Sequence, residues 1–219
     1  TSGTDNVAVG TLALDANTTG SDNTAIGDNA LGANTTANYN TAVGSASLDA
    51  NTTGVNNTAV GFASLGANST GADNVAVGYG ALDANLASSN VAIGSAAMLV
   101  NTTGATNTAV GYLALDANTT ASNNVAVGSG SLGSNTTGAN NVAVGSGALD
   151  ANTTASNNVG VGKDAIGDNT TGASNTAIGH NALTANTTAN NNVAVGYQTM
   201  LANTTGTDNV AVGSNALDA

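Results

Sequence analysis

Asn6-Val7-Ala8-Val9-Gly10 is followed by Asn23-Thr24-Ala25-Ile26-Gly27 and then by Asn40-Thr41-Ala42-Val43-Gly44. The glycine of this phrase stands at 10, 27, 44, 61, 78, 94, 111, 128, 145, 162, 179, 196 and 213. Every interval is 17 residues except one of 16. The short one falls at 85–90, Asn85-Leu86-Ala87-Ser88-Ser89-Asn90, where other copies carry one more turn residue. Thirteen copies account for all 219 residues, so 1–219 reads as a single repetitive domain with no linker.

Positions are numbered here by the first copy. Position 6 is always Asn, position 9 Val or Ile, and position 10 Gly; position 8 is Ala except for Gly160. Position 14 is Leu, replaced by Met98, Met200 and Ile166 in three copies. Alternation along a strand sends 7 and 9 to one face and 8 to the other. Placing the larger side chains inward gives one dry core of Val9, Val43, Val77, Leu14, Leu48 and Leu82. Ala8 and its equivalents then form a flat outward strip for a neighbouring subunit, where Ala109→Gln should disturb assembly and spare the fold. A second short strand is expected around position 14, with bends at Gly10 and at Asn17-Thr18-Thr19-Gly20. Gly, Asn and Thr interrupt any helical period within two turns. Asn-Gly and Asp-Gly are absent, so tight hairpins lack their usual signal and the chain coils. The fold class is therefore all-β: a single β-solenoid, a β-roll or β-helix, of thirteen 17-residue rungs about 4.8 Å apart. One rung alone buries too little apolar surface to offset the ordering of its backbone, so only a stack is stable.

Composition narrows the function. The chain has 13 Asp, no Glu, one Lys, no Arg and one His, for a net charge of −12. That balance repels phosphate backbones and anionic membranes, which argues against nucleic-acid partners. No apolar run approaches a membrane span, and the chain opens without Met, as a mature form or a piece of something longer would. Without Cys there is no disulfide and no thiolate metal site. One His without Glu, Arg or Cys leaves no acid–base pair, so an enzyme is not expected and no cofactor is implied.

Four columns could carry chemistry. Asn6, Asn23, Asn40, Asn57, Asn74 and Asn90 form one, and Asn17, Asn34, Asn51 and Asn68 begin another. Asn at the same site in every rung suits a hydrogen-bonded ladder better than a cation or glycan site. Eleven Asn of the second column head Asn-Thr-Thr or Asn-Ser-Thr, the N-glycosylation sequon, but a ladder Asn is a poor acceptor. Position 15 is Asp at 15, 49, 83, 116, 150 and 218, in alternate copies. Doubling the spacing to about 9.6 Å relieves carboxylate repulsion, and carboxylates that far apart make calcium a weak prospect. Position 11 collects Phe62, Tyr79, Tyr112, Lys163, His180 and Tyr197, a mixture that implies exposure and suggests an adhesive or subunit-contact ridge.

The run Asn-Val-Ala-Val-Gly followed by a small residue and Leu resembles the head repeats of trimeric autotransporter adhesins. It is also similar to Asn-Thr-Ala-Val-Gly…Ala-Leu…Asn-Thr-Thr-Gly repeats of phage tail-fibre and related extracellular fibre proteins. The resemblance implies an extracellular, cell-surface or virion location, with lateral or trimeric self-association and a surface glycan or receptor as partners. The leading expectation is a rigid structural subunit stacking head to tail into a filament, because neither end carries a polar capping rung and Ala219 could meet Thr1 nearly in register. A receptor-binding shaft or head of such a fibre is the alternative. An ice-binding protein using the Thr-Thr columns is a more remote one.

Overall fold

The computed structural model describes residues 2–218, among which there are thirteen three-residue strands and no helix. The joint of Ala219 to Thr1 lies outside the described residues. The chain forms two compact units, Thr1–Asn107 and Thr108–Ala219. The first holds β1 (Val7–Val9), β2 (Thr24–Ile26), β3 (Thr41–Val43), β4 (Thr58–Val60), β5 (Val75–Val77) and β6 (Val91–Ile93). The second holds β7 (Thr108–Val110), β8 (Val125–Val127), β9 (Val142–Val144), β10 (Val159–Val161), β11 (Thr176–Ile178), β12 (Val193–Val195) and β13 (Val210–Val212).

Within each unit every strand pairs in parallel with the next in sequence, position for position. Val7 faces Thr24, Ala8 faces Ala25 and Val9 faces Ile26; in the second unit Val125 faces Val142 and Ala126 faces Ala143. A parallel pair needs a crossover, and here the crossover is the remainder of a 17-residue turn. The result is a β-solenoid. The 16-residue turn keeps the same register, with Val75 opposite Val91.

The alternation has the opposite phase from the sequence expectation. Ala25, Ala42, Ala59, Ala76 and Ala92 are fully buried, whereas the flanking residues of positions 7 and 9 are half-buried or exposed. Val9, Val43 and Val77 are therefore not core residues. Leu48 and Leu82 are fully buried, and Leu14 in the first rung is half-buried. The reason is the narrow cross-section. A methyl standing on Gly160 would lie 3.3 Å from Leu149 Cγ, so the position-14 side chain reaches right across to the inner face of the strand. Leu and Ala fill the lumen between them, and a branched residue at position 8 would have no space. The outward Ala strip does not exist, and Ala109, fully buried, is a site where Gln breaks the core.

The expected second strand is also absent. Residues 11–16 and their equivalents are successive turns, with φ of 55° at both Leu12 and Leu14, 50° at Leu48 and 53° at Leu82. This left-handed backbone costs an L-residue roughly 1–2 kcal/mol. Rung-to-rung bonds continue through it, with Leu14 N–H donating to the Ala30 carbonyl at 3.0 Å and Leu48 N–H to that of Ser64 at 3.0 Å. Burial of the position-14 side chain, complete at Leu48 and Leu82, holds the strained turn in place.

Candidate functional surfaces

Both Asn columns are built into the wall. The Asn40 N–H donates to Asn23 Oδ1 at 3.0 Å and the Asn57 N–H to Asn40 Oδ1 at 2.9 Å, so each side-chain oxygen holds the next rung. Asn6 Oδ1 receives the Asn23 N–H, Asn57 Oδ1 the Asn74 N–H, and Asn74 Oδ1 the Asn90 N–H. In the second column Asn34 Nδ2 donates to Asn17 Oδ1, Asn51 to Asn34 and Asn68 to Asn51, at 3.1–3.3 Å. The two columns meet on one carbonyl in each rung. Gly54 O accepts from Asn40 Nδ2 at 2.9 Å and from Asn51 Nδ2 at 3.0 Å, which closes the Asn-Thr-Thr-Gly turn. The turn at 85–90, one residue shorter, keeps the shared carbonyl: Ala87 O accepts from both Asn74 Nδ2 and Asn85 Nδ2. Asn68 Oδ1, and in the second unit Asn186 Oδ1, is buried without a partner.

Position 11 lies just past the Gly bend, beside the outward face of the strand. Phe62 and Tyr79 are about half exposed and stack with centroids 5.6 Å apart and planes 12° apart. Neighbouring rungs in register place the two rings in this offset contact. In the second unit His180 and Tyr197 approach to 5.5 Å with planes tilted by 52°. Tyr112 is exposed, and Lys163 pairs with Asp164 at 2.7 Å on the open surface. Sequence reading passed over Tyr39, equally exposed at position 5 with φ of 61°, because that column varies too much to show a pattern.

The Asp column does not keep the separation its backbone spacing suggests. A methyl on Gly66 would stand 2.5 Å from Asp83 Oδ1 and 3.6 Å from Asp49 Oδ1, so both carboxylates lean over the bare glycine between them. Asp150 and Asp116 lean over Gly133 in the same way, at 2.8 and 3.6 Å. Burial raises the pKa of all four above the ordinary 3.8. The Asp49 charge adds to burial at Asp83, and the Asp164 charge does so at Asp150. Among the described residues no three acidic or His side chains gather closely enough to hold a metal ion.

A stability consequence follows, with a definite sign. A carboxyl whose pKa is higher folded than unfolded binds its proton more tightly in the folded state. Its stabilising effect is complete below the unfolded value and is lost as pH rises through the raised folded one. The melting temperature is expected to fall as pH rises from about 4 through the raised folded-state values. Asp83→Asn should flatten that fall and stabilise the neutral protein more than Asp22→Asn, which removes an equal charge from an exposed site. Calorimetry across this range checks it, and equal effects of the two substitutions would refute the Asp pairing.

The outward strand face is the largest regular apolar feature. Position 9 presents Ile26, Val60 and Ile93 in the first unit and Val144 and Ile178 in the second, all between 36% and 43% exposed. Position 7 carries Thr or Val beside them. Comparison of the chain with protein-family models, curated proteins and solved structures gave no match.

Proposed function

We propose that this chain is a structural protein, a β-solenoid shaft or head segment of an extracellular fibre, whose copies associate side by side through the outward Val and Ile rank. The observation that carries this reading is that rank itself. Within each unit a strip of β-branched side chains on the parallel sheet is solvent-exposed, whereas the Ala of position 8 between them is buried. Contiguous exposed apolar surface of this kind marks an association face. Position-for-position repetition makes the face self-complementary in shape, and no charged residue interrupts positions 7 or 9. The extracellular setting is supported by the resemblance to adhesin heads and fibre repeats. The aromatic and basic side chains of position 11 flank the association face and remain available to a surface glycan or receptor.

The test is the mass of the particle in solution. Sedimentation equilibrium of the full chain is expected to give an oligomer. Val60→Lys together with Ile93→Lys should convert it to monomer, with circular dichroism unchanged. A wild-type chain that stays monomeric at high concentration removes the proposal. Assembly that survives both lysines would instead favour end-to-end stacking.

A further inference from the structure

The sequon column has a consequence that lies outside fibre assembly. Eleven turns of the form Asn-Thr-Thr or Asn-Ser-Thr offer acceptors for N-linked glycan transfer. Asn34, Asn51, Asn68, Asn135, Asn152 and Asn169 of these turns are fully buried and inaccessible in the folded chain, whereas Asn17 and Asn203 are half-buried. Both hydrogens of each of those six buried amides are also in use. Asn152 Nδ2 donates to Asn135 Oδ1 at 2.9 Å and to Ala155 O at 3.1 Å; Asn169 Nδ2 donates to Asn152 Oδ1 at 3.0 Å and to Gly172 O at 2.9 Å.

Transfer forms a bond between Nδ2 and the sugar C1 and breaks the bond from C1 to a lipid pyrophosphate. The lipid pyrophosphate leaves and Nδ2 loses one proton. The modified amide keeps a single hydrogen, so it can no longer serve both the neighbouring Asn and the turn carbonyl. Its sugar would also have to occupy a site with no solvent access. We propose that the Asn-Thr-Thr turns are latent N-glycan acceptors that folding closes, so that modification and rung closure exclude each other. The chain then folds before it meets, or apart from, any transferase that recognises Asn-X-Thr.

The structure separates the two hydroxyl positions of the sequon. Position 18 is structural: Thr18 Oγ1 donates to Thr35 O at 2.9 Å and Thr52 Oγ1 to Ser69 O at 3.0 Å. Position 19, which the transferase reads, is exposed at Thr19, Thr36, Thr53 and Thr70. Thr53→Ala and its equivalents therefore delete the acceptor signal while keeping both the Asn ladder and the position-18 bonds. A contrasting sequon, Asn56-Asn57-Thr58, starts at an exposed Asn whose Nδ2 meets Asp73 Oδ1 at 3.0 Å on the surface.

The experiment presents the folded full chain, made in a bacterial cytosol, to an oligosaccharyltransferase with its lipid-pyrophosphate donor. A synthetic peptide of residues 47–57 serves as the open reference. Mass spectrometry is expected to show transfer to Asn51 at least about a hundredfold slower in the folded chain than in the peptide, because it waits for local opening. Rates within a few-fold of each other, with the circular dichroism of the chain unchanged, would overturn the proposal. In a second arm the chain is routed through a eukaryotic secretory lumen. The wild type should emerge glycosylated at the column and protease-sensitive, and the position-19 Ala variant protease-resistant. Wild type glycosylated at the buried column Asn, beyond any transfer to Asn56, that resists protease like the cytosolic product would overturn it equally.

Discussion

Gly61→Ala is expected to unfold the first unit, whereas Gly80→Ala is expected to cost it only about 1–2 kcal/mol. The two substitutions add the same methyl to glycines of neighbouring turns. At Gly61 the backbone has φ of 133°, a region L-residues rarely enter, and the new Cβ would stand 2.5 Å from the carbonyl oxygen of Gly78 and 2.7 Å from its carbon. Both are backbone atoms of the next rung, held by the Gly78 N–H bond to Val60 O at 2.8 Å. Relief would require the rungs to part, which costs more than about 4 kcal/mol through strain and lost ladder bonds. At Gly80 φ is 59°, and the new Cβ meets only Leu99 Cδ1 at 3.2 Å, the free end of a side chain. Ala63 and Ala96 already occupy the equivalent position at 53° and 55°. Urea melts followed by circular dichroism distinguish the two, and comparable losses would mean that the Gly column is not a backbone-to-backbone contact.

What was legible in the sequence was whatever repeats in type. Gly10 and Asn6 recur without exception, and the 17-residue interval between copies sets both the length of a turn and the zero-shift pairing of Val7 with Thr24. Exposure of Phe62, Tyr79 and His180 could be read from the mixed chemistry of their column, since a buried site tolerates no such mixture. The phase of the strand could not be read. Alternation marks two faces without saying which is inside, and the preference for large residues inward fails where the lumen holds one Leu per rung. The left-handed turn at Leu14 carries no signal either, because Leu is an uncommon residue at positive φ and is held there by burial rather than by propensity. The leaning of Asp49 and Asp83 over Gly66 depends on side-chain direction, which backbone spacing does not contain. Asn56 escaped attention for a simpler reason: its Asn-Asn-Thr sequon is not repeated from turn to turn.

Leu82→Asp is expected to abolish folding of its unit, and two smaller changes in the preceding turn establish which face is inside. Leu82 is fully buried, in a lumen lined by Ala and by the neighbouring Leu65 and Met98. An ionised carboxylate there has no Lys or Arg in its own unit, because Lys163 is the single Lys and the chain has no Arg. Burying it unpaired costs several kcal/mol, beyond about 4 on top of the lost Leu packing. This result alone does not distinguish the two phases of the strand, since Leu is inward in both. Ala59→Val and Val60→Ala do. Ala59 is fully buried and Val60 is 36% exposed. Enlarging Ala59 overfills the lumen and should cost about 1–3 kcal/mol. Trimming Val60 opens no cavity and should cost less than about 1 kcal/mol in the unassociated chain. With valine inward the order would reverse, since Val60→Ala would then leave a void and Ala59→Val would merely lengthen a surface group. Denaturant midpoints of the two variants, measured below the concentration at which copies associate, decide between the phases.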